Sequence, residues 1–155
     1  MKLVKLILLL FFFSCHSDKE KKSLGVPYIF NEGLDSYLQQ TFNTSIADIQ
    51  DSILFVVALE SCTPCVDTTL YELNNLNCPE CSVIWVGIPK DSIMIEKVES
   101  INKKFETFSD STFQIYNYET NIGNPAILLL KDKKAAKHIT LDSEIWKDVK
   151  KILKL

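Results

Sequence analysis

Ile53-Leu54-Phe55-Val56-Val57-Ala58-Leu59-Glu60-Ser61-Cys62-Thr63-Pro64-Cys65 is the stretch that decides the fold. From Ile53 to Leu59 the chain is continuously apolar, of strand length and rich in β-branched side chains, the pattern of a central strand buried on both faces. Beyond it, Val66, Leu70, Leu73 and Leu76 recur at helical spacing. The spacing predicts a helix opening near Thr63-Pro64, with proline in the first turn where its missing N–H is not needed. Cys62 therefore stands where a buried strand hands over to a helix. There its sulfur faces unsatisfied helix amides, whose partial positive charge favours the nucleophilic thiolate. Cys65, one turn on, is within reach to resolve a mixed disulfide formed at Cys62.

Outward from this segment the periods alternate. Leu34, Tyr37, Leu38 and Phe42 mark an earlier helix over about 33–43, and Val83 to Ile88 is a second apolar strand stopped by Pro89. Asp91 or Ser92 can cap a helix carrying Ile93, Ile95, Val98, Ile101 and Phe105, and Thr112 to Tyr118 alternates as a strand does. Ala126 to Leu130 and Ala136 to Leu141 form an expected hairpin about Lys131 to Lys134, and Ile145, Trp146, Val149 and Ile152 mark a last helix. The expected order is α-β-α-β-α-β-β-β-α, an α/β protein.

The chain has 155 residues, 46% hydrophobic and 24% charged, which suits one globular domain and excludes a low-complexity chain. Net charge is −3 and every one of the 17 basic residues is lysine, so the arginine forks that read base edges are missing and no nucleic-acid partner is expected. Lys2 and Lys5 precede an apolar run from Leu6 to Phe13, too short to span a bilayer, with Ser14 before Cys15. Phe12-Phe13-Ser14-Cys15 resembles a bacterial lipobox, with Phe12 where leucine is usual. That resemblance implies a signal peptide over 1–14, acylation of Cys15, a polar tether over 15–27 and a folded body over 28–155. The body would be held by lipid in the bacterial envelope, on the periplasmic face of the outer membrane or the cell surface.

The segments Ile53 to Leu76 and Gly123-Asn124-Pro125-Ala126-Ile127-Leu128-Leu129-Leu130 resemble the thioredoxin-like superfamily, and especially its membrane-anchored thiol:disulfide reductases. The resemblance covers about residues 50–155. It implies a central mixed sheet flanked by helices, catalytic Cys62 and Cys65, and Thr63 and Pro64 at the substrate's edge. It also implies a cis Pro125 packed against the cysteine pair, with the Asn124 backbone pairing to an extended substrate. No bound cofactor is called for. The implied partners are disulfide-containing envelope proteins and a membrane-associated electron donor or acceptor. Two positions depart from the family. Val56 stands where the buried acid that serves the resolving thiol is usual, leaving Glu60, Asp67, water or a substrate group to do that work. Ser61 stands where tryptophan is usual. A peroxiredoxin is disfavoured because no threonine stands three places before a reactive cysteine.

A second pair of the same spacing, Cys78-Pro79-Glu80-Cys81, admits two readings. Either the four cysteines close one zinc site in a non-catalytic module, or Cys78 and Cys81 form a separate, mainly structural pair at the far end of the helix that begins at Cys62. A third reading keeps the thioredoxin-like fold as a peptide-binding lipoprotein with little turnover. His16 and His138 are read as surface residues. Phe105, Phe108, Phe113, Tyr116 and Tyr118 are read as core and rim, with an exposed subset available to a partner.

Overall fold

The computed structural model describes residues 24–50, 52–142 and 144–153, so the expected signal peptide and Cys15 lie outside the described residues. Its elements are β1 (Val26–Pro27), α1 (Asn31–Phe42), β2 (Ile53–Ala58), α2 (Thr63–Asn75), β3 (Cys81–Val86), α3 (Ser92–Asn102), β4 (Glu106–Asp110), a 3-10 helix (Gln114–Asn117), β5 (Ala126–Lys131), β6 (Lys134–Thr140) and α4 (Ile145–Leu153). The strands form one mixed sheet of order β1-β6-β5-β2-β3-β4. β2, β3 and β4 run parallel, while β5 is antiparallel to β2, β6 to β5 and β1 to β6. The α/β class and the helix-flanked mixed sheet are those expected.

Strand alternation sorts the core into two layers. Phe55 and Val57 face the side where α2, α3 and α4 supply Val66, Leu70, Leu73, Val98, Ile101, Trp146 and Val149. Leu54, Val56 and Ala58 face the side covered by α1 and the 3-10 helix, with Leu34, Tyr37, Leu38 and Ile115. Every residue of β2 and β3 is buried, which is why β2, and β3 from Val83 on, read as unbroken apolar runs. α1 closes onto the 119–120 segment so tightly that a Cβ on Gly33 would stand 2.3 Å from the Glu119 carbonyl oxygen, leaving room for glycine alone. Among the described residues no helix is long and apolar enough to cross a membrane.

Three expectations need correction. Val26 and Pro27, assigned to the tether, pair with His138 and Lys137 as β1. The strand expected over 112–118 is instead β4 at Glu106–Asp110 followed by the 3-10 helix. The cause is Asp110, whose carboxylate accepts from the Gln114 and Ile115 amides at 2.9 and 3.0 Å and so winds the chain into a turn. His138, expected at an edge, is half-buried because β1 covers β6.

Candidate active site

Cys62 caps α2 with non-helical backbone (φ −47°, ψ 110°), and its carbonyl accepts the first helical bond from the Val66 amide at 3.0 Å. A tight turn delivers it there: the Ser61 amide and hydroxyl both donate to the Ala58 carbonyl, at 3.1 and 2.7 Å. Cys62, Thr63 and Pro64 are exposed and Cys65 is half-buried. The two sulfurs are joined as a disulfide with Cα atoms 5.3 Å apart. An exposed cysteine at the helix N-terminus and a half-buried one a turn later is the asymmetry that attack followed by resolution requires.

Cys62 lies at the carboxyl ends of three parallel strands, where α/β sheets open their crevices. Backbone bonds knit these ends together, Leu59 N–H to the Val86 carbonyl at 2.8 Å and Gly87 N–H to the Asp110 carbonyl at 2.9 Å. Gly87 has φ +96°, and a Cβ there would stand 3.0 Å from the Phe113 ring and 3.6 Å from Glu60 Cγ. Phe113 itself adopts φ +58°, uncommon for an aromatic residue. It stacks on Tyr116 with ring centroids 6.2 Å apart and planes 14° from parallel. Partial burial, then the negative charges of Glu60 and Asp110, raise the Tyr116 hydroxyl pKa.

Asn124 and Pro125 reach the same end of the sheet, since Ala126 opens β5 opposite Val56. Asn124 is exposed and Pro125 is buried, its carbonyl accepting the Leu141 amide at 2.7 Å. The expected cis geometry at Pro125 is not found, because every described peptide bond is trans. Trans is the intrinsically favoured form even before proline, and here it leads Ala126 into register with both Val56 and Thr140. Val56 is fully buried and apolar, packed on the α1 side of the sheet, so no acid stands at that position. Glu60 and Asp67 are both exposed.

Cys78 and Cys81 form their own disulfide, with Cα atoms 5.5 Å apart, where α2 gives way to β3. They are only 7% and 3% exposed. Ten residues of α2, Val66 to Asn75, lie between Cys65 and the second pair, a length of about 15 Å at 1.5 Å per residue. The four sulfurs therefore cannot meet one zinc ion, and the four-cysteine zinc reading is corrected. Among the described residues no group of three or more His, Cys, Asp or Glu side chains is placed to hold a metal ion.

Sequence reasoning passed over Asp110, Gly87 and the placement of Glu60 and Phe113 over Gly87. Only Asp110 carried a local signal, an acid set just ahead of Ser111, Thr112 and Gln114 as a turn cap is.

No protein-family model matches the chain, and no curated protein matches it. A solved structure described as the solution structure of a thioredoxin-like protein in the oxidized form is similar over 72% of this chain and 84% of its own, with 13% identity and a TM-score of 0.46. Two closely spaced cysteine pairs, each joined as a disulfide, fit a redox function.

Proposed function

We propose that this chain is a thiol:disulfide oxidoreductase that reduces disulfides of envelope proteins from a lipid anchor at Cys15. The observation that carries this reading is the exposed Cys62 at the N-terminus of α2 with the half-buried Cys65 one turn behind it. In the reduced protein the Cys62 thiolate attacks a substrate disulfide, forming a mixed disulfide and expelling one substrate thiolate, which takes up a proton. Cys65, as its thiolate, then attacks the Cys62 sulfur, forming the Cys62–Cys65 bond and releasing the second substrate thiol. Two electrons pass to the substrate, and a thiol or dithiol donor associated with the membrane returns them. Thr63 and Pro64 border the attacking sulfur, and the Asn124 backbone is free to pair with an extended substrate segment.

The test is trapping. Cys65→Ser leaves the first step intact and removes the second, so partners accumulate on Cys62 as adducts seen by non-reducing electrophoresis; no adduct under any redox condition overturns the mechanism. The buried Val56 favours a second reading, a scaffold that binds peptides with little turnover. Unchanged partner binding by a Cys62→Ser, Cys65→Ser double variant would support it. The anchor is tested separately: Cys15→Ala should abolish labelling by a palmitate analogue and release the protein from membranes.

A further inference from the structure

The exchange described above gives no task to Glu60. Its side chain is exposed in the turn between β2 and α2, and among the described residues no hydrogen bond or ion pair engages its carboxylate. The stem lies over Gly87 beside the Phe113 ring, and Phe113 carries Tyr116, which is 53% exposed, stacked upon it. Asp110 holds this aromatic pair in place through the turn it caps. Lys90, three positions after Gly87, lines a different cavity with Asp67, Asp91 and Lys97. The patch thus combines an unpaired carboxylate with an open aromatic face.

Glu60 precedes Cys62 by two positions, so their Cα atoms are within about 7 Å. The neighbours of a substrate cysteine bonded to Cys62 come within side-chain reach of Glu60. A carboxylate beside an aromatic face is complementary to an ammonium or guanidinium group, which gains an ion pair from one and a cation–π contact from the other. Ile88, exposed next to Gly87, offers apolar surface to the aliphatic stem of such a side chain. We propose that Glu60 and Tyr116 form a subsite that selects disulfides flanked by lysine or arginine. This rests on Cys62 being the attacking sulfur.

The test uses the reduced full chain and oxidised peptides that differ in one residue beside the cysteine, Lys, Gln or Glu, each rate being divided by that of the same peptide with dithiothreitol. The Lys peptide should react about five- to ten-fold faster than the Gln peptide, since each contact is worth a few-fold at an exposed site. The ratio should shrink in high salt. Glu60→Gln and Tyr116→Ala should each bring it toward one, and Glu60→Lys should turn the preference toward the Glu peptide. Equal corrected rates in the unaltered chain, or a preference that survives all three variants, overturn the subsite while leaving the oxidoreductase standing. No reduction of any peptide overturns the oxidoreductase reading, and this inference with it.

Discussion

The hydroxyl of Tyr37, in the middle of α1, donates to the carboxylate of Asp110 at the end of β4 across 3.2 Å and 73 residues of sequence. Asp110 is 1% exposed and also accepts from two backbone amides of the following turn. One side chain therefore ties a helix on the sheet's outer face to the loop that carries Phe113 and Tyr116. Asp110→Ala leaves those buried donors without partners and should cost about 3 kcal/mol. Tyr37→Phe removes one bond and should cost about 1 kcal/mol. Urea denaturation of both variants measures the difference, and equal losses would show that the turn holds without its cap.

Trp146 anchors α4 by stacking on Phe55, with centroids 6.0 Å apart and planes 7° from parallel, and its indole N–H donates to Thr69 on α2 at 3.4 Å. Trp146→Ala should lower stability by roughly 3–5 kcal/mol. Thr69→Val, which keeps the shape and loses the acceptor, should cost about 1 kcal/mol. Thermal unfolding of the two variants separates packing from hydrogen bonding.

The two disulfides should differ sharply in chemical access. Mild reductant followed by alkylation and peptide mapping should label Cys62 and Cys65 in the native protein, and Cys78 and Cys81 only after denaturant. The Glu80 carbonyl between the second pair accepts the amides of Ser52 and Ile53, at 3.1 and 3.2 Å, where β2 begins. Replacing Cys78 and Cys81 by alanine should therefore cost about 2 kcal/mol from the four-residue ring, without removing the labelled pair's reactivity.

Stability should fall at both ends of the pH range. Burial lowers the pKa of His138 below its ordinary 6.5, so the unfolded chain takes up a proton before the folded one does. Stability is lost as pH falls through 6.5 and levels off below the folded value. Burial raises Tyr28 and Tyr37 above the ordinary 10.0, and for Tyr37 the charge and hydrogen bond of Asp110 add to it. Their contribution is lost as pH rises beyond 10. Comparing urea midpoints at pH 7.5 and 5.5 for the unaltered chain and His138→Gln should show a smaller acid loss in the variant.

The parts of the fold legible in sequence are those whose residues face one environment along their length. β2 and β3 are enclosed on both sides, and α2 places Val66, Leu70 and Leu73 on one buried stripe, so both periods survive in the letters. β4, Glu106-Thr107-Phe108-Ser109-Asp110, lies at the sheet's edge and has little apolar content, while the 112–118 segment mimics strand alternation. There a single buried carboxylate decides the outcome, and its partners lie both within five residues and 73 residues away. The cysteine pairs were legible as pairs. That they stand apart was legible too, because the apolar spacing of Val66, Leu70 and Leu73 already places a helix between them.

The two-residue β1 has a bearing on how the sheet behaves among copies of itself. An open strand flank is a template on which another chain can add. Beyond β6 the next strand is only Val26 and Pro27, and proline has no N–H to offer an incoming strand. At the opposite flank β4 opens on the charged Glu106, while its last residue turns its carboxylate inward to Tyr37 and the following turn. Among the described residues neither margin presents a long apolar ladder, so the sheet resists edge-to-edge polymerisation even though its centre consists of strands that would aggregate if laid bare.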